Sequence, residues 1–145
     1  NLHTVAELIP GQVRCMAVAA GQLWVGGAAG VTVVELASLA RAARIGPESK
    51  VNGVLEFQGH AIVAYADGSL SVFDGAGQAK HAQPPLAAGP IICLAGLESG
   101  PRLLCGHARG EVSAVALPSF QLLCSWRALA GCQVRCLSSA RHEGL

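Results

Sequence analysis

The feature that most restricts the fold of this chain is an internal repeat of about 40 residues, the length at which solenoids and propellers are built. The tetrapeptide Gln-Val-Arg-Cys stands at residues 12–15 and again at residues 133–136. Two further segments with the same order of aliphatic, variable, small and aliphatic residues begin at Val51 and Ile91. Counted from residues 13, 51, 91 and 134, the four copies lie 38, 40 and 43 residues apart.

A second marker follows the same period. Gly30, Gly68 and Gly110 each end a triplet that begins with alanine, and they lie 38 and 42 residues apart. Two independent markers with one spacing predict a chain built from repeated units of one structure. Since 145 residues is the length of one domain, we expect the repeats to belong to a single domain.

Each repeat contains short β-rich segments separated by glycine-containing turns. In the second copy, residues 51–56, 61–65 and 69–73 predict three strands, and Asp67-Gly68 is a strong hairpin signal between the last two. Residues 78–83 leave room for a fourth, weaker strand. The matching segments are 13–18, 22–26, 31–36 and 41–45 in the first copy, and 91–96, 102–106, 111–117 and 122–128 in the third.

Two alternatives compete with this strand pattern. Residues 15–34 carry no charge and are long enough to span a bilayer. The matching positions of the second repeat include Glu56 and Asp67, so a structure common to both repeats is not a membrane span. A helix over residues 33–44 stays open as the second alternative, because several apolar residues there would share one helical face.

Composition restricts the partners. The chain is 52% hydrophobic and only 13% charged, so most positions must be buried. A net charge near +1 provides no electrostatic field for nucleic acid or for an anionic membrane, and we expect neither as a partner. The sequence starts without the pattern of a signal peptide. We therefore expect a cytoplasmic location, with the nucleus or the cytoskeleton as alternatives.

Four antiparallel strands in a repeat of this length are typical of a β-propeller blade. The octapeptide Asp-Gly-Ser-Leu-Ser-Val-Phe-Asp at residues 67–74 resembles the hairpin and third strand of the WD40 family, with Phe73-Asp74 in place of its Trp-Asp pair. The other repeats have Glu35-Leu36 and Ala116-Leu117 there. Gly59-His60 and Gly106-His107 are out of register with the Gly-His pair of that family, so we do not expect its hydrogen-bonded tetrad.

The predicted fold class is all-β, a β-propeller segment of about three four-stranded antiparallel blades plus flanking strands. Propellers close with at least four blades, so we expect these repeats to be part of a larger ring, completed by the same or another chain. Left open, the two end blades would expose apolar faces. The predicted parts of this single partial propeller (1–145) are an outer strand of a preceding blade (1–12), three blades (13–45, 51–85 and 91–129) and the start of a further blade (134–145).

The cysteines do not form a recognisable metal site. Cys15, Cys93 and Cys136 occupy equivalent positions on three predicted inner strands, as small buried apolar residues do. A zinc site would have to use Cys124, Cys132 and Cys136, with or without His142, and that spacing is not the spacing of a zinc finger or ribbon. We expect no metal and no cofactor.

Catalytic motifs are also missing from the sequence. Both aspartates, Asp67 and Asp74, stand where turns need them. His60, His81 and His107 are isolated along the chain, so we expect them to be loop or strand residues and the protein not to be an enzyme. The alternative is a hydrolase-type propeller with a site at the axial channel. It would need an acid–base or metal-binding set where the inner strands begin, a position occupied by Arg14, Asn52, Ile92 and Arg135.

We therefore expect a non-enzymatic scaffold that binds other proteins through loops held by rigid blades. In WD40-like propellers the contact face is formed by the loops that lead into the inner strands and by the hairpins between the second and third strands. Excess positive charge on this face favours acidic peptide segments as partners, while ordinary solvated loop residues are the alternative interpretation. Trp24 and Trp126 are expected to pack between blades. The resemblance implies these partner-binding residues: Gln12, Arg14, Lys50, Asn52, Asp67, Arg109, Gln133 and Arg135.

Overall fold

The computed structural model describes residues 13–38, 42–97 and 101–127, and all regular structure within these ranges is β. The first repeat forms strands β1 (Val13–Ala19), β2 (Gln22–Gly27), β3 (Gly30–Glu35) and β4 (Ala42–Ile45). The second forms β5 (Val51–Phe57), β6 (His60–Tyr65), β7 (Leu70–Phe73) and β8 (Ala79–Gln83). The third forms β9 (Ile91–Leu97), β10 (Arg102–His107), β11 (Glu111–Ala116) and β12 (Leu122–Arg127).

Each group of four consecutive strands forms one antiparallel sheet in which neighbours along the chain are neighbours in space. The prediction of three four-stranded antiparallel sheets is confirmed, including the weak fourth strand of the second repeat. The helix considered over residues 33–44 is wrong in its described part, because Val33 lies in β3 and Ala43 in β4, paired with one another. Local strand pairing therefore decides the conformation of this segment.

The hairpin predicted at Asp67-Gly68 connects β6 and β7. Gly68 has a φ of +94°, which is costly for residues with a side chain. The Asp67 carboxylate accepts hydrogen bonds from the backbone amide (2.8 Å) and the hydroxyl (2.5 Å) of Ser69. These bonds fix the turn, and they lower the pKa of Asp67 below its ordinary value.

The three sheets pack face to face, with β1 beside β5 and β5 beside β9. Trp24 of the first sheet and Phe73 of the second are buried in one apolar cluster, with ring centroids 5.8 Å apart. Phe57 and Ile62 of the second sheet pack in another cluster with Leu103 of the third. Adjacent first strands and face-to-face sheets constitute a partial propeller-like arrangement.

The two end sheets expose large apolar side chains. Met16 and Val18 on β1 are 60% and 57% exposed, and Trp126 on β12 is 47% exposed. Trp24 packs between sheets as expected, but the same expectation for Trp126 is wrong, because β12 is an edge strand whose side chains are exposed along its whole length. The flanking segments predicted at 1–12 and 134–145 lie outside the described residues.

The uncharged stretch at residues 15–34 lies in strands β1, β2 and β3 and in the turns between them. Within the described ranges there is no helix with the length and hydropathy needed to cross a bilayer.

Candidate functional site

Loops and hairpins alternate along one edge of the three sheets, which we call the upper face. It consists of the loops at 46–50 and 84–90, which lead into β5 and β9, and the hairpins at 27–30, 65–70 and 107–111. The amide of Ala66 donates to the carbonyl of Lys50 (2.9 Å), and the amide of Ala108 donates to that of Pro90 (3.0 Å). Since the loop at 84–90 also donates from Leu86 to the carbonyl of Gly68 (3.1 Å), it is held between two hairpins.

A polar chain at the upper ends of the first strands joins all three sheets. The Arg14 guanidinium on β1 donates to the Asn52 side-chain oxygen on β5 at 3.2 Å. The Asn52 amide nitrogen in turn donates to the backbone carbonyl of Ile91 on β9 at 2.8 Å. An open cleft of about 340 Å³ lies here, lined by Val13, Arg14, Asn52 and Ile92. Arg14 and Asn52 are thus two predicted binding residues that the structure joins by a hydrogen bond.

The other predicted residues that the structure describes also lie on the upper face. Lys50 and Arg109 are exposed, with the Arg109 guanidinium beside Gly89 in the loop at 84–90. The Asp67 carboxylate is occupied by Ser69 in its own hairpin. Gln12, Gln133 and Arg135 lie outside the described residues. The predicted binding residues that the structure describes therefore include three cations, Arg14, Lys50 and Arg109. They include one carboxylate, Asp67, which is already hydrogen-bonded.

A buried histidine was missed by the sequence interpretation, which treated His107 as isolated. His107 ends β10, is completely buried, and donates from Nδ1 to the carbonyl of Gly89 at 2.9 Å, since a carbonyl oxygen can only accept. Its Nε2 lies 2.8 Å from the Ser113 hydroxyl, which lies 3.1 Å from that of Ser125. Because Ser113 is only 1% exposed, this His–Ser pair cannot reach a substrate and is structural.

The residues of this network share one face of the third sheet, which the sequence shows only when the strand pairing is known. Residues that pair across an antiparallel ladder share a face of the sheet, and Cys105, Ser113 and Ser125 stand in one row of the third sheet. His107 lies two residues beyond Cys105, and so on the same face of the sheet. A histidine and two serines at such positions can be found only once the register of all three strands is known.

The other two histidines of the described residues, and the second aspartate, have local partners. His60 is exposed and its Nδ1 donates to the carbonyl of Gln58 at 3.1 Å. His81 on β8 stacks on Phe120. Asp74 accepts hydrogen bonds from the amides of Ala76 (3.0 Å) and Gln78 (2.9 Å), which is the turn role predicted for it.

The described cysteines differ in exposure. Cys15 and Cys93, expected to be small buried residues of the inner strands, are half-buried, and Cys136 lies outside the described residues. Burial raises the pKa of the Cys15 thiol. Burial, with a smaller contribution from Cys93, raises the pKa of Cys105 to about 12. Cys124 on the edge strand β12 is exposed.

This difference predicts selective labelling with a thiol reagent. N-ethylmaleimide at pH 8 is expected to modify Cys124 and to leave Cys105 unmodified, because the reagent needs an accessible thiolate. Trypsin cleaves after Arg102, Arg109 and Arg127, so the two cysteines lie in separate peptides that mass spectrometry distinguishes. Labelling in denaturant, where both must react, is the control. Equal labelling rates in the native protein would contradict the burial of Cys105.

Comparisons with known proteins give a fold and no family. No protein-family model matches the chain, and no curated protein matches it. The chain is similar to a solved structure, the computationally designed Ika8 protein, with a TM-score of 0.75 and 18% sequence identity. The similarity covers 92% of this chain and 42% of the designed one, so this chain spans less than half of that protein's length. At this level of identity the similarity shows the fold alone.

Proposed function

We propose that this chain is part of a WD40-like propeller that serves as a non-enzymatic scaffold for protein–protein interaction. The observation that carries this proposal is the upper face, where Asn52 holds Arg14 at the mouth of a cleft formed by three consecutive sheets. Loops positioned by rigid sheets are the usual place for binding residues. Further blades, from the same or another chain, complete the ring in this proposal.

The partner that suits this face is an acidic peptide or protein segment. Arg14, Lys50 and Arg109 contribute three positive charges to the upper face, against the exposed Glu48 in the loop at 46–50. The other two carboxylates there are already engaged, Asp67 by Ser69 and Glu111 by Arg127. Arginine is the cation best suited to an interface, since its planar guanidinium donates several hydrogen bonds in fixed directions and is weakly hydrated. Asn52 takes up one of these donors and leaves the others for a carboxylate of the partner.

Replacing Arg14 with glutamate, alone and together with Arg135→Glu, tests this proposal. Arg14 is exposed, so the fold should persist, and affinity for acidic peptides should fall by about 1–3 kcal/mol for each arginine that acts as an anchor. An array of aspartate- and glutamate-rich peptides, followed by titration of the strongest binders, measures the effect.

The matched control is Arg102→Glu, which makes the same charge change at the opposite end of β10 from the upper face. We expect this control to retain binding. Unchanged binding by the Arg14→Glu variants would place the binding face elsewhere. Loss of the β circular-dichroism spectrum in these variants would show instead that the arginines are structural.

A further inference from the structure

A second cleft lies away from the upper face, between the second and third sheets. We call it the lateral cleft. Its volume is about 330 Å³, within the range of sites for small molecules. The inner wall is apolar and contains Phe57, Ile62 and Val72 from the second sheet. Leu117 and Phe120, after β11, close the other side.

One wall of the lateral cleft contains a stacked pair of aromatic rings. The imidazole of His81 on β8 stacks on the ring of Phe120, with centroids 4.4 Å apart and planes 15° from parallel. His81 Nε2 lies 3.2 Å from the side-chain oxygen of Gln83, which fixes the orientation of the imidazole. A further planar ring can stack on an outer face of such a pair or contact the edges of its rings.

The mouth of the cleft carries a cation. Lys80 belongs to the lining, its side chain is 53% exposed, and its ammonium lies 3.4 Å from a carboxylate oxygen of Asp74. The other oxygen of Asp74 accepts bonds from the backbone of its own turn. An ammonium group has three donors, so Lys80 can bind a second carboxylate while it keeps Asp74. The residues that line the cleft include no acidic side chain.

The corresponding cleft between the first and second sheets has different chemistry. The paired residues Val33 and Ala43 of the first sheet face the first cleft. The paired residues Val72 and His81 of the second sheet face the lateral cleft. Small residues dominate the lining of the first cleft, which also contains the carboxylate of Glu35. The aromatic wall and the lysine are thus particular to the second junction and do not follow from the repeat itself.

We propose that the lateral cleft binds a small planar aromatic carboxylate. Its ring would lie against His81 and Phe120 over the apolar floor, and its carboxylate would accept hydrogen bonds from Lys80. This is a site for a small molecule, separate from the upper face, so it does not depend on the protein-binding function.

Titration with 2-naphthoate tests this site, with the neutral 2-naphthamide as the second probe. We expect saturable binding of 2-naphthoate with a Kd below about 1 mM, and binding of the amide weaker by about fivefold, because a half-exposed ion pair is lost. Lys80→Ala should weaken 2-naphthoate binding by about the same factor and leave 2-naphthamide unchanged. His81→Ala should weaken both probes alike. Lys50→Ala removes the same charge from the upper face and should change neither.

Three results would overturn the assignment. One is the absence of saturable 2-naphthoate binding up to about 10 mM. Another is equal affinity of the wild-type protein and Lys80→Ala for 2-naphthoate. The third is unchanged binding of both probes by His81→Ala, which would place the ligand elsewhere on the molecule.

Discussion

Replacing Gly26 with alanine is expected to lower the free energy of unfolding by about 2–3 kcal/mol, while the same change at Gly53 costs less than about 1 kcal/mol. A methyl group on Gly26 would lie 2.5 Å from the Cys15 sulfur and 2.5 Å from a methyl carbon of Val51. A methyl group on Gly53 would first meet Leu94 at 3.6 Å, an ordinary van der Waals distance. Both glycines are buried strand residues, so only the available space distinguishes them.

Urea denaturation followed by tryptophan fluorescence measures both variants, because Trp24 is buried at the interface of the first two sheets. Val51 begins β5, so the clash at Gly26 lies between sheets and cannot be relieved within the first sheet alone. Equal stability of the two variants would mean that the first and second sheets do not approach as closely as the structure shows.

Loss of the His107 side chain is expected to have the second large effect. His107→Ala should lower the free energy of unfolding by about 2–4 kcal/mol, since it leaves a cavity, deprives the carbonyl of Gly89 of its side-chain donor and leaves the hydroxyl of Ser113 with Ser125 alone. The change also removes one of the two hydrogen bonds between the loop at 84–90 and the hairpin at 107–111, while the bond from the Ala108 amide to the Pro90 carbonyl remains. Thermal and urea denaturation measure the loss.

Two companion variants separate hydrogen bonding from packing. Ser113→Ala keeps the imidazole and removes the hydroxyl that bonds to His107 and Ser125, so we expect a smaller loss of about 1–3 kcal/mol. His60→Ala removes an exposed histidine and should leave stability unchanged within about 0.5 kcal/mol. If His107→Ala is as stable as His60→Ala, the network does not support the third sheet.

The sequence predicted where the residues of the candidate site lie in the fold, but not the hydrogen bonds that they form. Its position at the upper ends of the first strands followed from the repeat and from the resemblance to a known family. The bond from Arg14 to Asn52 joins residues 38 positions apart, and that from Asn52 to Ile91 joins residues 39 apart. Such contacts depend on how neighbouring sheets are stacked, which no local pattern encodes.

The sequence by itself determined the all-β class, the first three strands of each repeat and the turns between them. These features follow from local preferences, such as the hairpin signal of Asp67-Gly68 and the short apolar runs between glycines. Tertiary structure decided the burial of His107, the exposure of Trp126 and the tight fit around Gly26. The physical reason is that burial depends on what packs against a residue, and local sequence patterns do not specify that partner, as with Gly26 against Val51 and His107 against Gly89.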